Sequence, residues 1–137
     1  MSRENVELVR SIFSAWERGD FSSVDWAHPE IEWVIPDGLS PARWSGLAGL
    51  VEGERDFLRG WENYHLEVDE YRELDDDRVL VLVHSSGRGR ASGLELAEIG
   101  KRGGAAWVQV RDGKVTKLVT YYDRERAFAD LGLAPEG

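Results

Sequence analysis

The chain has 137 residues, no cysteine, and 26 acidic against 17 basic residues, giving a formal net charge of −9. This length suits one compact domain over residues 1–137, with room for a core and a cavity. The absence of cysteine excludes disulfides and thiol nucleophiles, and the negative charge opposes nucleic-acid binding. The N-terminal segment MSRENVELVR is charged and lacks a long apolar run, so we expect no signal peptide, no membrane span and a cytoplasmic location.

The N-terminal segment has helical periodicity. Residues 3–18 carry apolar side chains at the three- and four-residue spacing of a helix with one wide buried stripe. Asp20 is placed to cap a short second helix over residues 21–27. The pair His28-Pro29 would end that helix, because proline disfavours helical geometry in the residue before it.

A strand, a loop and a helix are predicted next. In EIEWVIP the apolar residues alternate, which indicates a short strand that Pro36 ends. Residues 37–46, rich in Gly, Ser and Pro, are expected to form a loop. Residues 47–61 are predicted as a helix that buries Leu50, Phe57, Leu58 and Trp61 and turns Glu52, Glu54, Arg55 and Arg59 toward solvent.

The second half of the chain reads as strands. Residues 64–74 alternate, and residues 79–84, VLVLVH, form a continuous apolar run typical of a strand buried on both faces. The three aspartates 75–77 are predicted to form a solvated turn rather than a metal site, since no regular ligand loop surrounds them. Residues 85–93, SSGRGRASG, are expected to form a flexible connection to the next strand.

A hairpin follows that connection. Residues 94–111 are predicted as a long, interrupted strand, and residues 114–122 as its partner, because Asp112-Gly113 is a strong hairpin signal between β-rich runs. In the first of these strands Trp107 lies on the face opposite the apolar residues. An outward tryptophan suggests that a partner subunit covers it.

Asp123 follows the last strand and precedes a predicted helix over residues 124–131. Its carboxylate is open to two roles that do not exclude one another. It can act as a general base in a cavity beside Tyr121, or it can cap the following helix. His84 is a second candidate, although a histidine at the end of a core strand is usually a structural residue.

Six tryptophans in so short a chain suggest an aromatic-rich interior, a pocket or a buried interface. Plain core packing explains part of this set equally well. If a cavity is present, we expect its wall to include Trp16, Trp33, Trp61, Tyr64 and Tyr121.

The whole chain resembles the NTF2-like superfamily. The resemblance rests on SRENVELVRSIFSAWERGDF near the start, on PEIEW-x-x-P, and on RDGKVTKLVTYYDRERAF near the end, and the closest branch is the SnoaL-like or ketosteroid-isomerase-related group. It implies an α+β cone: a curved, mainly antiparallel (mixed) sheet with three to four helices on its concave side and a cavity between them. It also implies a homodimer through the outer face of the sheet.

The departures from that family matter for the chemistry. Ile12 and Ile35 occupy the positions where ketosteroid isomerases carry their oxyanion-hole tyrosine and their general-base aspartate, so the resemblance argues against true ketosteroid isomerase activity. Polyketide cyclases of the SnoaL type carry an acid at the end of the final strand, where Asp123 stands.

The sequence therefore predicts a SnoaL-like protein that binds a small, mostly apolar, ring-containing molecule. If it is an enzyme, we expect a cofactor-independent isomerase, cyclase or hydrolase, with Asp123 as base and His84 or Tyr121 polarising an oxygen. The alternative is a non-catalytic ligand-binding or dimerisation module, favoured by the scarcity of histidine. No metal or cofactor is expected, since spacings such as H-E-x-x-H are absent.

Overall fold

The computed structural model describes residues 2–37, 41–90, 93, 95 and 103–133. Within these residues three helices are formed: α1 (Ser2–Glu17), α2 (Gly46–Arg59) and α3 (Arg124–Leu131). The strands are β1 (Ala27–Ile35), β2 (Ala42–Ser45), β3 (Trp61–Glu73), β4 (Arg78–Gly89), β5 (Gly104–Arg111) and β6 (Lys114–Tyr121). None of the described helices is long and apolar enough to cross a membrane.

The strands form one mixed sheet in the order β2-β1-β6-β5-β4-β3. The β1–β6 pair is parallel and every other neighbouring pair is antiparallel. The β5–β6 hairpin turns at Asp112 and Gly113, whose φ angles of 52° and 75° are both positive, as a two-residue turn requires. The predicted hairpin and the predicted α+β class with a curved, mixed sheet are both confirmed.

The core lies on both faces of the sheet. On one face, α1 and α2 cover a large cluster that includes Phe13, Leu50 and Val81. On the opposite face, Phe128 of α3 packs on a second cluster that includes Leu80. Residues 79–83 are all buried, because this strand supplies side chains to both clusters, and the predicted two-sided burial is confirmed.

The short helix predicted over residues 21–27 is not formed. The Asp20 carboxylate accepts hydrogen bonds from the backbone N and the Oγ of Ser22, at 3.0 and 2.6 Å, and such a side-chain turn competes with helix formation. Strand β1 already begins at Ala27 and includes Pro29. The proline falls where the β1–β6 register shifts, between Ala27 and Glu32, so its missing N–H interrupts no regular ladder.

Part of the predicted 37–46 loop is an edge strand. Residues 42–45 form β2, which pairs with the end of β1 and places Trp44 opposite Trp33. The two indole rings lie 4.6 Å apart, and a cross-strand aromatic pair of this kind stabilises two short strands. Residues 38–40 of the predicted loop lie outside the described residues.

Strands β3 and β4 are longer than predicted. Trp61, expected at the end of the helix, begins β3, and β4 continues past His84 to Gly89. Gly87, with φ of 146°, sits so close to β3 that a Cβ would lie 3.1 Å from the Glu62 carbonyl oxygen. The glycines that suggested a flexible connection thus permit close strand pairing.

The turn at residues 75–77 and strand β5 were also predicted from the sequence. The aspartate turn is confirmed, since the Asp75 carboxylate accepts hydrogen bonds from the backbone N of Asp77 and of Arg78. Strand β5 covers only residues 104–111 of the predicted 94–111 strand. Residues 94 and 96–102 lie outside the described residues.

Candidate functional site

A half-enclosed cavity of about 100 Å³ lies between α1, α2 and the face of the sheet that they cover. One buried water needs roughly 10–15 Å³ by this kind of measure, so the space suits several waters or a small organic group. Most of its wall is apolar, including Phe13, Trp16, Phe21, Trp33, Leu50 and Phe57.

The aromatic residues of the wall contact one another in a chain. Trp16 stacks on Phe21 with ring centroids 6.0 Å apart, and Phe57 meets Tyr64 edge-on at 5.1 Å. Phe57 also stacks against Tyr122 at 6.4 Å. Such contacts favour particular ring orientations, and together the rings form a continuous apolar surface.

A single carboxylate enters this apolar space. Glu54 of α2 lines the cavity, and its Oε1 atom is buried and accepts no hydrogen bond from the described residues. It is the one acidic or basic side chain among the described lining residues, tyrosines aside. Burial raises the pKa of Glu54 from 4.5 to about 7, because the apolar surroundings disfavour the ionised form.

The spacing of Glu54 along the sequence indicates burial, although its charge favours the solvent side. Glu54 lies four residues after Leu50 and three before Phe57, which places it on the buried stripe of α2. The prediction that Glu54 faces solvent is therefore wrong. The neighbouring Gly53 brings α2 close to the sheet, since a Cβ there would lie 2.6 Å from the Trp44 ring.

Hydroxyl groups line the opposite, sheet side of the cavity. Thr120 of β6 accepts a hydrogen bond from Trp33 Nε1 at 3.0 Å, which leaves its own proton available for another acceptor. Tyr64 of β3 and Ser85 of β4 also line the wall. Burial raises the pKa of Tyr64 to about 12, and a hydrogen bond with Ser85 opposes that rise. Near neutral pH these groups are therefore protonated hydrogen-bond donors.

No group of three or more potential metal-ligating side chains is found among the described residues. Comparison with known proteins gives the family. The family model described as SnoaL-like domain matches residues 9–118. The chain belongs to the SnoaL-like family.

Solved structures share the fold of this SnoaL-like domain. An NTF2-like protein from Burkholderia thailandensis is 20% identical, with a TM-score of 0.70 over 85% of this chain and 88% of that chain. TerC, co-crystallised with polyporic acid, is 24% identical, with a TM-score of 0.65 over 93% and 97%. A Sinorhizobium meliloti protein proposed to be a polyketide cyclase is 21% identical, with a TM-score of 0.61 over 83% and 93%. No match was found among curated proteins.

The aromatic residues predicted to line the cavity of the SnoaL-like domain occupy three kinds of position. Trp16, Trp33 and Tyr64 lie in the wall. Trp61 is outside the wall, but its ring centroid lies 6.2 Å from that of Tyr122, which is in the wall. Tyr121 is in the wall, yet its hydroxyl points to the other face of the sheet.

The Tyr121 hydroxyl donates a hydrogen bond to Asp130 Oδ2 of α3 at 3.0 Å. Burial raises the pKa of Tyr121 to about 12. Because this oxygen is engaged beneath α3, away from the cavity, it is not placed to polarise an oxygen of a bound molecule. The geometry gives Tyr121 a structural role.

Asp123 caps α3. Its Oδ1 accepts a hydrogen bond from the backbone N of Glu125 at 3.0 Å, and its φ and ψ are extended, as expected of an N-cap residue. Its own backbone N donates to Asp37 Oδ2 at 3.1 Å. Asp123 is absent from the described cavity wall. Of the two roles left open by the sequence, the geometry supports the cap and gives no support to the base.

His84 lies on the outer face of β4, with a side chain 56% exposed, and pairs through Nδ1 with Asp69 of β3. The same carboxylate accepts a hydrogen bond from Arg124 Nη2 of α3 at 2.7 Å, and that nitrogen also donates to the Val83 carbonyl oxygen at 3.0 Å. Through these contacts Asp69 of β3 links His84 of β4 to Arg124 of α3. Since His84 is absent from the described cavity wall, its position gives no support to a catalytic role.

Trp107 lies on the outer face of β5, as predicted, but its surroundings are supplied by its own chain. It packs against the cluster beneath α3, and the Arg78 guanidinium and Lys117 ammonium groups each lie 5.7 Å from its ring. These contacts account for the half-buried ring without a second subunit. The homodimer through this face stays a prediction.

Proposed function

We propose that this SnoaL-like domain binds a small, mostly apolar, ring-containing molecule in the cavity between α1, α2 and the sheet. The observation that carries the proposal is the wall itself, in which aromatic rings surround about 100 Å³ of space with a few polar groups. Small-molecule sites have this composition: apolar side chains supply most of the affinity, and a few polar groups fix the orientation.

The comparisons support the proposal at the level of the fold. TerC, which has the same fold, was co-crystallised with polyporic acid, and a similar protein was proposed to be a polyketide cyclase. At 21% and 24% identity the similarity shows a shared fold and nothing about the ligand. We therefore do not propose polyporic acid as the ligand of this chain. What we carry over is the general class of a small organic ligand.

Catalysis by the residues selected from the sequence is the weaker candidate. Asp123 is engaged as a helix cap, Tyr121 is bonded to α3, and His84 pairs with Asp69 on the outer face. These positions favour binding over a reaction driven by those three side chains. The proposed function is therefore binding in the cavity, whether or not other residues add a chemical step.

Ligand binding is tested by a thermal-shift panel of small ring compounds, including phenols, indole and bicyclic ketones. A compound present at about 100 times its dissociation constant adds about 2.7 kcal/mol to the free energy of unfolding. We expect at least one compound class to raise the melting temperature of the wild-type protein saturably.

A matched pair of variants localises the effect. Ala106, buried in the cavity wall, is replaced by Phe to fill the cavity, and Val51, 40% exposed on α2, is replaced by Thr as the control. The shift should vanish in the first variant and persist in the second. A shift that survives Ala106→Phe, or the absence of any shift in the wild type, would contradict binding at this site.

A further inference from the structure

We propose that Glu54 accepts and returns a proton in a reaction of the molecule bound in the cavity. This inference rests on the proposed binding function and adds a chemical step to it. It assigns the acid/base role to α2, whereas the sequence had pointed to the residue after the last strand.

The placement of the Glu54 carboxylate in the cavity supports this role. Glu54 Oε1 is buried and has no hydrogen-bond partner among the described residues, and burying a polar group without a partner costs free energy. The position lies on the apolar stripe of α2, where an aliphatic side chain such as that of Leu50 or Leu58 satisfies packing alone. A carboxylate held at a cost inside a cavity marks a candidate functional group.

The protonation state of Glu54 also fits an acid/base role. With its pKa raised to about 7 by burial, Glu54 is present both as carboxylate and as acid near neutral pH. A general acid/base is most effective when its pKa lies near the working pH. The same group can therefore remove a proton from the bound molecule and later give one back, and no co-reactant is needed to restore it.

Hydrogen-bond donors lie on the sheet side of the cavity, across from the helix that carries Glu54. Glu54 belongs to the helical wall, whereas Thr120 and Tyr64 belong to the sheet wall. The Thr120 hydroxyl already accepts a hydrogen bond from Trp33, so its proton is free to be donated to an oxygen of the ligand. A molecule between the two walls thus has a proton acceptor on one side and hydrogen-bond donors on the other.

We expect the pH dependence of this proton transfer to come from Glu54. The other titratable side chains of the described cavity wall are Tyr64, Tyr121 and Tyr122, and burial raises the pKa of each of them above 10. Between about pH 5 and pH 9, Glu54 is therefore the described wall residue that changes charge.

The test uses the full chain and the chromogenic probe 5-nitrobenzisoxazole. A base removes the C3 proton of this bicyclic compound, the C–H electron pair completes a nitrile, and the N–O bond breaks. The ring thereby opens to a coloured 2-cyano-4-nitrophenolate, and the base then releases the proton to water. We expect a saturable rate that rises with pH around a midpoint near 7. Replacing Glu54 by Gln should lower kcat by about 10²-fold or more and leave KM nearly unchanged.

Two control variants remove one negative charge, as Glu54→Gln does, but at positions outside the described cavity wall. Glu52→Gln removes an exposed carboxylate of the same helix, and Asp123→Asn replaces the helix cap with another good capping residue. Both should keep the wild-type rate and the wild-type pH profile. Loss of the rate in Asp123→Asn, with Glu54→Gln unaffected, would return the base role to the end of the last strand and overturn the inference.

The design separates failure of the inference from failure of the proposed function. If the wild type binds neither the probe nor any compound of the thermal-shift panel saturably, the binding proposal fails and the inference fails with it. If the probe saturates the protein but wild type and Glu54→Gln turn it over at the same rate, binding stands and the assignment of Glu54 is overturned. Circular dichroism of each variant checks that the fold is retained.

Discussion

Replacing Glu54 by Gln should stabilise the protein at high pH and have little effect at low pH. The pKa of this carboxyl group is about 7 in the folded protein against 4.5 for an exposed glutamate. The folded state therefore holds a proton between these two pH values that the unfolded state has released. By linkage, the contribution of Glu54 to the free energy of unfolding falls as pH rises from about 4.5 to about 7 and is constant on either side.

The two pKa values differ by about 2.5, and each pKa unit corresponds to about 1.4 kcal/mol. The upper limit of the destabilisation above pH 7 is therefore about 3 kcal/mol. Because Glu54 is only partly buried, solvent screening reduces the expected effect to about 1–2 kcal/mol. Unfolding entropy is about 2.1 cal/mol/K per residue, so for 137 residues the variant should melt about 3–7 °C above the wild type at pH 8.

The assay is urea denaturation of wild type and Glu54→Gln at pH 4 and pH 8, with melting curves in the same buffers. The comparison is the difference between the two proteins, in which the contributions of the other carboxylates cancel. Glu52→Gln, at an exposed position of the same helix, is the control and should show a small difference that does not depend on pH. An equal stability difference at both pH values for Glu54→Gln would refute the argument that this carboxyl group is buried without a partner.

Substitutions in three other parts of the structure give further predictions. Asp123→Ala should lower stability by about 1 kcal/mol by removing the cap of α3, whereas Asp123→Asn should be nearly neutral; equal losses would contradict the cap. Gly53→Ala should cost about 1–3 kcal/mol through overpacking, because its Cβ would lie 2.6 Å from the Trp44 ring, whereas Gly49→Ala, with a nearest contact of 3.5 Å, should be neutral or stabilising by up to about 1 kcal/mol. Similar denaturation midpoints for the two would refute the close approach of α2. Tyr121→Phe should cost about 1 kcal/mol by removing its hydrogen bond to α3 and leave ligand-induced shifts intact; a loss of those shifts would place its hydroxyl in the cavity.

Much of the fold follows from local patterns in the sequence. The β5–β6 hairpin is specified by Asp112-Gly113, and the first half of β4 is specified by VLVLV, a continuous apolar run of valines and leucines that is typical of a strand buried on both faces. These signals are local, so they hold wherever the segment lies in the fold. The wrong predictions have different causes. A local side-chain turn between Asp20 and Ser22 replaces the predicted short helix, whereas Gly87 is part of a strand because of its close approach to β3, which a linear pattern does not contain.

The candidate site was less predictable than the fold, for a related reason. Asp123 ends a strand beside Tyr121 and precedes a helix, so the sequence leaves both a general base and a helix cap open. The structure shows the cap, in which Asp123 Oδ1 accepts a hydrogen bond from the backbone N of Glu125. Charge and spacing give opposite predictions for Glu54. Its charge favours the solvent side of α2, whereas its position four residues after Leu50 favours the buried side. The desolvation of Glu54 depends on which aromatic side chains pack next to α2. That packing is set by the whole core, so it is not contained in the local sequence.

The close pair of indoles formed by Trp33 and Trp44 gives the protein a built-in optical reporter. Their ring centroids are 4.6 Å apart with planes inclined by 32°, a geometry in which the electronic transitions of two chromophores couple and produce a paired positive and negative band in circular dichroism. Trp33 lines the cavity, whereas Trp44 is absent from its described wall. A molecule that enters and tilts the first ring would change the coupling without touching the second, so occupancy of the cavity should be visible in the unlabelled protein, even for a ligand that has no absorbance of its own.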